Sequence, residues 1–284
     1  MGNAARVCVV IVNWRDWDST IAAVRSVYQG DDPVRPEVLV VDNEQQETAP
    51  LLPEGVTVLG QARNLGYAGG NNVGIRAVLN ENPRPRFVLI MNNDCALERN
   101  ALEAMVNLAE SHPDTGIVGP VIRNLDGTHQ TSGARLTFWS IRRFPVEPDA
   151  VRFVDFVSGA CMLVPLPVIE EVGLLDEQFF HYGEDVDFCV RVRAAGFKIL
   201  VAPDAVVRHR RHNSLGGVSP QLAYYAVRNS FLFARKHGVG QVGWAAVVRH
   251  AFPLRTMLRG DWDQVGAAWA GIRDGLEGVT GPRR

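Results

Sequence analysis

Short apolar runs alternate with amphipathic stretches through the first 120 residues of the chain. Residues 7–12 are continuously apolar, which is typical of a strand that is buried on both faces of a parallel sheet. Four further runs predict strands at residues 38–41, 56–59, 87–91 and 116–120. Between these runs, apolar residues recur at helical spacing and predict helices at residues 18–29, 71–79 and 98–110. The alternation of strands and helices predicts a doubly wound α/β sheet.

The pattern changes in the second part of the chain. An Asp126-Gly127 turn signal is followed by residues 130–150, which have no clear periodicity. Beyond them, shorter apolar runs predict strands at residues 152–157, 160–164, 198–201 and 205–208. The pattern is helical from about Pro220 onward. We therefore divide the chain into an α/β half over residues 1–120, a second half of the same domain over 121–218, and a helical tail over 219–284.

The composition disfavours several classes of protein. With 284 residues, 46% of them hydrophobic, the chain is long enough to bury a large core. Its net charge of −2 provides no general attraction to nucleic acid, so we expect no nucleic-acid partner. The sequence has no signal peptide and no apolar run of about 18 residues, which predicts a cytoplasmic protein. The four cysteines form no CxxC pair, which indicates buried thiols rather than a structural zinc site.

Polar side chains directly follow three of the predicted apolar strands. Asn13-Trp14 ends the first strand, Asp42-Asn43 the second, and Asn92-Asn93-Asp94 the run at residues 87–91. A fourth connection, residues 63–72, is rich in glycine and leads into a helix, which lets backbone amides approach an anion. Ligands of open α/β sheets bind beyond the carboxyl ends of the strands, so we expect these edges to line one site. No G-x-G-x-x-G fingerprint follows the first strand, which disfavours a nicotinamide enzyme.

Residues 179–193 predict a loop that enters a helix, with three acidic residues in its first turn. Asp185 shares one helical face with three apolar residues, namely Phe188, Cys189 and Val192. An acid on a buried face needs a partner or a chemical role, which makes Asp185 a candidate functional residue. The helix dipole alone accounts for acids such as Glu184 and Asp187. We expect Asp187 and Arg191 to form a surface ion pair.

Taken in order along the chain, these motifs resemble those of family-2 glycosyltransferases with the A-type fold, especially the bacterial rhamnosyltransferase-like branch. The resemblance extends from residue 7 to about residue 235. It is carried by residues 9–14, 40–43, 64–72, 91–94, 173–180 and 183–187, by His209, and by Arg228-Asn229. It implies an α/β fold, with a Rossmann-like nucleotide-binding sheet, an adjoining acceptor subdomain and the helical tail.

The resemblance implies an inverting glycosyltransferase, which moves a sugar from a nucleoside-diphosphate sugar to a hydroxyl acceptor. A divalent cation, Mg²⁺ or Mn²⁺, stabilises the charge on the departing diphosphate, and a carboxylate base takes the proton of the acceptor. The rhamnosyltransferase-like branch favours rhamnose or another deoxyhexose as the sugar, and a dTDP-sugar over a UDP-sugar as the donor. The acceptor stays open between an envelope glycan, a lipid-linked saccharide and a secondary metabolite.

Three residues match the catalytic and metal positions of the family. Asp185 matches the general base of its Glu-Asp pair. Asp94 matches the metal ligand of the Asp-x-Asp position, and His209 matches a histidine that completes the metal site in some relatives. Asn92 and Asn93 stand where relatives carry Asp, which gives His209 more weight. Two simpler interpretations stay open: Asp94 as a helix cap, and His209 as part of an exposed basic cluster.

The resemblance also implies a set of donor contacts. Val12 and Trp14 match positions that hold the nucleotide base, and Asp42 matches a carboxylate that reads the base or the ribose. The expected donor contacts are Val12, Asn13, Trp14, Asp42, Asn43, Asn64, Gly69, Asn71 and Asn93. Residues 44–46 differ from the small residues that are common in relatives.

Two other functions compete with glycosyl transfer. A sugar-nucleotide pyrophosphorylase also uses a nucleotide-binding α/β sheet, but a Gly-rich basic loop is then expected after the first strand, where residues 13–16 read Asn-Trp-Arg-Asp. A non-catalytic paralogue that only binds the nucleotide sugar would have no need for Asp94, Asp185 and His209 together.

The tail contains three tryptophans, Trp244, Trp262 and Trp269. We expect them in the core, where tryptophans of packed helices are usually found. The alternative is peripheral contact with the inner face of a membrane, which is supported by Arg249, Arg255 and Arg259.

Overall fold

The computed structural model describes residues 7–29, 36–44, 50–136, 141–210, 219–238 and 261–283. Within these ranges, a ten-stranded sheet forms the centre of the molecule, and helices cover both of its faces. The strands are β1 (Val7–Asn13), β2 (Pro36–Asn43), β3 (Val56–Gln61), β4 (Phe87–Asn92), β5 (Cys95–Leu97), β6 (Thr115–Arg123), β7 (His129–Thr131), β8 (Ala134–Leu136), β9 (Ile141–Arg143), β10 (Arg152–Val154), β11 (Cys161–Pro165) and β12 (Lys198–His209). The helices are α1 (Trp17–Val27), α2 (Gly66–Leu79), α3 (Ala101–Ser111), α4 (Leu166–Val172), α5 (Glu184–Ala194), α6 (Pro220–His237) and α7 (Trp262–Glu277).

The strand order of the large sheet is β10-β12-β6-β11-β4-β1-β2-β3, with β5 paired to β12 and β7 to β6. β1 runs parallel to both of its neighbours, β2 and β4, and β2 runs parallel to β3. Every residue of β1 is buried, which confirms the prediction from its continuous apolar run. The carboxyl ends of these four strands therefore meet at one edge of the sheet.

An antiparallel strand interrupts the series of parallel strands. β11 lies between β4 and β6 and is antiparallel to both, so the sheet is mixed. β6 therefore runs in the same direction as β4, and the strands predicted within residues 1–120 share one direction, as the doubly wound prediction requires. The two strands predicted at residues 198–201 and 205–208 form one strand, β12, which has a register shift between Ala202 and Val206. Residues 130–150, expected to be irregular, contain part of β7 and all of β8 and β9.

Two apolar layers enclose the sheet, and β1 contributes alternate residues to each. Val7, Val9 and Ile11 pack in the layer that includes α1 and α3. Cys8, Val10 and Val12 pack in the layer that includes α2, α4 and α5. This alternation is the ordinary pleat of a strand that is covered on both sides. All four cysteines are buried, as the sequence predicted, and none of them forms a disulfide.

Helices α6 and α7 of the tail pack against each other through small residues. A Cβ atom at Gly271 would lie 2.6 Å from the carbonyl oxygen of Tyr224, and one at Gly275 would lie 2.5 Å from the ring of Phe231. Any larger side chain at either position would therefore push the two helices apart.

The opposite face of α7 carries exposed apolar side chains. Trp262 and Trp269 are 67% and 56% exposed, so the prediction that they lie in the core is wrong. A packed helix buries only one stripe, and the small residues of α7 occupy that stripe instead. Trp244 lies outside the described residues. None of the helices in the described ranges combines the length and the apolar character that are needed to cross a bilayer.

Candidate active site

The ends of β1, β2 and β4 bring predicted site residues together. Asn13 is in register with Asp42, and Val12 is in register with Asn92. Asn13 Nδ2 donates a hydrogen bond of 3.0 Å to Asp42 Oδ1, and Thr20 Oγ1 donates one of 2.8 Å to Asn13 Oδ1. Asn13 and Asp42 are almost fully buried, at 0% and 4% exposure. The polar edge expected at these strand ends therefore exists, and hydrogen bonds fix the pair of Asn13 and Asp42 there.

Side-chain hydrogen bonds of Asn43 and Asn64 stabilise the glycine-rich loop. Asn43 Oδ1 accepts a hydrogen bond from Leu65 N at 2.8 Å, and its Nδ2 donates to Asn64 Oδ1 at 3.1 Å and to the carbonyl oxygen of Gly66 at 3.0 Å. Asn64 Oδ1 also accepts from Gly66 N at 2.8 Å. These contacts shape the entrance of α2, while the role of both residues in donor binding stays a prediction.

Gly69 and Asn71 are buried inside α2. A Cβ at Gly69 would lie 2.8 Å from Leu65 Cβ, which explains why a glycine is needed there. Asn71 is fully buried and donates 2.9 Å to the carbonyl oxygen of Tyr67, and its Oδ1 has no hydrogen-bond partner among the described residues. Asn93 Nδ2 donates 3.1 Å to Thr20 Oγ1 at the start of α1. The predicted donor contacts of these three residues also stay predictions.

A cavity of about 490 Å³ opens beside the strand ends. One wall comes from this edge and consists of Trp14, Arg15, Glu44 and Asn64. The facing wall comes from Phe180 and from tail residues, namely Gln221, Tyr225, Pro282 and Arg283. Sequence reasoning missed the contribution of the tail, because no motif there pointed to a ligand.

Trp14 and Arg15 share one carboxylate. Glu44 Oε2 accepts a hydrogen bond of 2.9 Å from Trp14 Nε1 and lies 3.1 Å from Arg15 Nη2. Trp14 is 44% exposed, and the Arg15 guanidinium lies over one face of its ring, 5.6 Å from the ring centre. An exposed indole face next to charged groups is suited to the stacking of a nucleotide base.

Asp94 and His209 meet beyond the end of β4. His209 pairs with Cys95 across β12 and β5, and this pairing places His209 Nε2 3.3 Å from Asp94 Oδ1. Both side chains are largely buried, at 16% exposure for His209 and 8% for Asp94. Oxygen, sulfur and nitrogen atoms of Asp94, Cys95 and His209 lie within 4.8 Å of one another. The structure therefore brings the two predicted metal residues together.

The chemistry of these side chains fits a divalent cation. His209 Nδ1 lies 3.2 Å from Gln130 Oε1, which favours the tautomer with the proton on Nδ1 and a lone pair on Nε2. In that tautomer the lone pair faces the Asp94 carboxylate, an arrangement that a divalent cation between the two atoms would stabilise. The Cys95 thiol is fully buried, burial raises its pKa well above its usual range, and its sulfur points to the carbonyl oxygen of Ala160 at 3.4 Å. The fitting ligand pair is thus Asp94 and His209.

Asp185 lies in the first turn of α5, and backbone amides hold its carboxylate. Gly159 N donates 2.9 Å to Oδ2, and Val186 N donates 2.8 Å to Oδ1. A Cβ at Gly159 would lie 3.0 Å from Asp185 Cβ, so the backbone at Gly159 and the side chain of Asp185 approach each other closely. Tyr67 Oη donates 2.5 Å to the carbonyl oxygen of Gly159. Asp185 remains partly exposed, as a group that exchanges protons with a ligand must be.

A single turn links Asp185 to the strand edge. Gly159 holds Asp185, and the carbonyl oxygen of the next residue, Ala160, accepts 2.9 Å from Asn92 N. Tyr182 is 39% exposed, and its phenol interacts electrostatically with carboxyl groups on both sides of this turn. Burial is the main reason why the pKa of Tyr182 is raised, and the carboxyl groups of Glu184, Asp94 and Asp185 raise it further. The carboxyl groups of Asp94 and Asp185 therefore both lie near the Tyr182 phenol, and we refer to the region that they share with His209 as the cleft.

Glu184 is a buried carboxyl group, 4% exposed. Burial raises its pKa well above its usual range, and the neighbouring charge of Asp185 raises it further. Its Oε2 atom has no hydrogen-bond partner in the described part of the chain. The buried position of Glu184 therefore goes beyond the helix-dipole explanation.

Asp187 pairs with Arg191 as predicted, but Asp187 is fully buried, so the prediction that this pair lies at the surface is wrong. Asp187 contacts Arg191 Nε at 2.8 Å, Lys236 Nζ at 2.8 Å and His237 Nε2 at 2.7 Å. Burial alone would raise its pKa, but hydrogen bonds from His237 and Lys236 and the charge of Arg191 lower it to about 2. The sequence pattern could not reveal this, because Lys236 and His237 come from the tail helix α6.

The tail also holds the loop that precedes α5. Asn229 Nδ2 donates to the carbonyl oxygens of Phe179, His181 and Tyr182 at 3.0, 2.8 and 2.5 Å. Phe180 and Tyr182 have positive φ angles of 62° and 66°, a strained conformation for residues with side chains. Strain of this kind persists only where surrounding contacts enforce it, and Asn229 supplies them.

Comparison with known proteins identifies the family. The chain matches the profile described as "Glycosyltransferase like family 2" over residues 4–223. It is 29% identical to an N-acetylglucosaminyl-diphospho-decaprenol L-rhamnosyltransferase of Mycobacterium tuberculosis, over 78% of this chain and 80% of that protein. It is 29% identical to a low-salt glycan biosynthesis hexosyltransferase of Haloferax volcanii, over 67% of this chain and only 62% of that longer protein. A dTDP-rhamnosyl transferase of Shigella flexneri is 27% identical over 71% of this chain and 72% of its own length.

Solved glycosyltransferases share the fold. GalNAc-T7, solved with UDP, GalNAc and Mn²⁺, has a TM-score of 0.64 and 16% identity over 98% of this chain and 57% of its own. The mannosyltransferase PcManGT from Pyrobaculum calidifontis, solved with GDP-Man and Mn²⁺, has a TM-score of 0.61 and 16% identity over 97% of this chain and 76% of its own. At such low identity the likeness shows the fold and not the substrate. The chain therefore belongs to glycosyltransferase-like family 2 and has the A-type fold that its motifs predicted.

Proposed function

We propose that this glycosyltransferase is inverting and transfers a hexosyl or deoxyhexosyl group, with rhamnose as the first candidate, from a dTDP- or UDP-sugar to a hydroxyl acceptor. The observation that carries the proposal is the turn at Gly159 and Ala160, which joins Asp185 to the strand end that bears Asp94. Rhamnosyltransferases among the relatives support the choice of sugar.

Asp185 is the proposed general base. Two backbone amides fix the carboxylate, at 2.9 and 2.8 Å, and a carboxylate oxygen can accept the acceptor's hydroxyl proton. The neighbouring Glu184 is buried, and burial raises the pKa of its carboxyl group well above the usual range. Direct attack by the deprotonated hydroxyl would invert the configuration of the transferred sugar.

Asp94 and His209 are the proposed ligands of Mg²⁺ or Mn²⁺. A divalent cation held there would stabilise the negative charge of the departing nucleoside diphosphate. The nitrogen ligand favours Mn²⁺ somewhat over Mg²⁺. Gln130 orients the imidazole through Nδ1, as partners of metal-binding histidines generally do.

The direct test is a transfer assay with the purified chain, dTDP- and UDP-sugars, and hydroxyl acceptors that include a lipid-linked saccharide. We expect transfer that depends on Mn²⁺ or Mg²⁺, with inverted anomeric configuration in the product by NMR. Retained configuration, or transfer that is unaffected by EDTA, would contradict the mechanism. Formation of pyrophosphate from a sugar phosphate and a nucleoside triphosphate would favour the pyrophosphorylase, and nucleotide binding without transfer or donor hydrolysis would favour the non-catalytic paralogue.

For the tail, we propose peripheral contact with an anionic membrane surface at the inner face of the membrane, and a cytoplasmic location stays a prediction. Trp262, Trp269 and Leu276 are exposed at intervals of seven residues on one face of α7, next to exposed Arg273. Residues 239–260 of the sequence add three arginines and no acidic residue. The wild type should co-sediment with vesicles that contain anionic phospholipid, and a Trp262→Ala/Trp269→Ala variant should not. Equal sedimentation of both would contradict this contact.

A further inference from the structure

The tail forms half of the cavity at the strand edge. Tyr225, Pro282 and Arg283 line it opposite Trp14 and Asn64. The family profile ends at residue 223, so these three tail residues lie beyond the matched region. Asp94, Asp185 and His209 are not among the lining residues of this cavity.

The C-terminal segment 279–283 is fixed to this wall. Gly281 N donates 3.1 Å to the carbonyl oxygen of Gln178, and Arg228 Nη1 donates 2.5 Å to the carbonyl oxygen of Gly281. Arg283 N donates 2.8 Å to Tyr225 Oη. Arg228 is fully buried, so the segment is attached to a rigid part of the molecule. The position of Arg283 at the cavity is therefore determined by the fold.

The two arginines of the cavity differ in their charge balance. Arg15 is paired with Glu44 at 3.1 Å. Arg283 is exposed and forms no ion pair with any residue of the described ranges, and its guanidinium lies 4.9 Å from the ring centre of Tyr224. The cavity thus presents an unbalanced positive charge on the tail side and an exposed indole on the other.

We propose that segment 279–283 is the outer wall of the donor site, and that Arg283 binds a phosphate oxygen of a nucleoside diphosphate whose base stacks on Trp14. The guanidinium group of an arginine can form two parallel hydrogen bonds to a phosphate, and the flat face of an indole can stack on a nucleobase. The cavity volume of about 490 Å³ lies within the usual size of small-molecule sites. This inference rests on the proposed nucleotide-sugar donor, and it assigns part of donor binding to the tail.

Calorimetry with dTDP and UDP, beside thymidine and uridine, tests the assignment. Arg283→Ala should weaken the better-bound diphosphate roughly tenfold and leave its nucleoside unchanged, since only a charged hydrogen bond is lost. Trp14→Ala should weaken both ligands. Tyr225→Phe, which removes only the hydrogen bond to Arg283 N, should weaken the diphosphate less than Arg283→Ala does. Arg273→Ala, an exposed arginine on α7, is the matched control and should bind as the wild type does.

The outcomes separate this inference from the proposed function. If Arg283→Ala binds both diphosphates as the wild type does, or if the wild type binds neither, the inference is overturned. If the wild type transfers sugar while Arg283→Ala binds normally, only the inference fails. If Arg283→Ala loses diphosphate binding but the wild type transfers no sugar, the inference stands and the proposed function fails. Thermal unfolding of each variant checks that the fold is retained.

Discussion

The cleft of Asp94, His209 and Asp185 and the cavity beside Trp14 are built in different ways. In the cleft, strand pairing and one turn position the polar groups, through contacts such as His209 with Cys95 and Gly159 with Asp185. In the cavity, the tail supplies the facing wall, including Tyr225 and Arg283. Under the two proposals above, the α/β core supplies the reacting groups and the tail supplies additional contacts to the donor.

The largest expected effect comes from Asp94→Ala, which changes the cleft and leaves the cavity intact. Asp94→Ala removes the carboxylate of the proposed cation site, and we expect kcat/KM to fall by about 100-fold or more. Titration of dTDP or UDP with and without Mn²⁺ should show that the metal no longer strengthens binding, while the metal-independent part of the affinity persists. Asp263→Asn, an exposed acid on α7, is the control. An unchanged response to Mn²⁺ would remove Asp94 from the site.

The second prediction tests how firmly the tail supports the cleft. Asp187→Asn leaves Arg191 and Lys236 without their shared anion, and we expect a loss of about 2 kcal/mol in the free energy of unfolding. The folded pKa of Asp187 is about 2, below its usual 3.8, so its stabilisation is present above pH ~4 and disappears as pH falls toward 2. Urea unfolding at several pH values should show that the free energies of unfolding of the wild type and of Asp187→Asn become more similar as the pH falls. A constant difference down to pH 2 would contradict the assignment.

A smaller effect is expected inside the cleft itself. A methyl group at Gly159 would lie 3.0 Å from Asp185 Cβ, so Gly159→Ala should shift the carboxylate by a few tenths of an ångström. We expect kcat to fall about tenfold with KM little changed, since positioning errors act on the chemical step. Gly266→Ala is a matched control, because nothing lies within 4 Å of a Cβ there. Equal activity of both variants would show that the turn does not position Asp185.

The smallest predicted effect concerns the support of that turn. Tyr67→Phe removes the hydrogen bond to the carbonyl oxygen of Gly159 and leaves the aromatic packing in place. We expect a loss of about threefold in kcat, consistent with roughly 0.5–1.5 kcal/mol for one hydrogen bond, and unchanged nucleotide affinity. Loss of nucleotide affinity instead would mean that Tyr67 supports the cavity, and the two regions would then be coupled.

Much of the parallel part of the fold could be predicted from the sequence. Residues 7–12 form an uninterrupted apolar run, and the polar residues Asn13, Asp42 and Asn92 follow their strands directly, so local pattern was sufficient. The antiparallel insertion of β11 could not be predicted, because its apolar run is compatible with either direction. The two strands predicted at residues 198–201 and 205–208 form one strand, β12, because the break in the apolar pattern corresponds to a register shift between Ala202 and Val206.

The candidate site was predictable where motifs lie close in sequence or match a known family. Asp94 and His209 were expected as a pair, and the structure brings them to 3.3 Å. Long-range contacts were beyond the sequence pattern. Asp187 was expected at the surface, yet Lys236 and His237 of α6 surround it. The wall formed by Arg283 depends on backbone contacts of Gly281, for which no sequence signal exists.

The central claim is that Asp185 removes the proton of the acceptor in the cleft where Asp94 and His209 hold the cation. The most direct test measures turnover and nucleoside diphosphate affinity of Asp185→Asn in the same preparation with Mn²⁺. The account predicts that turnover falls by at least about 100-fold, as expected for loss of a general base, while the dissociation constant stays within about twofold of the wild type. Turnover close to that of the wild type would contradict the account.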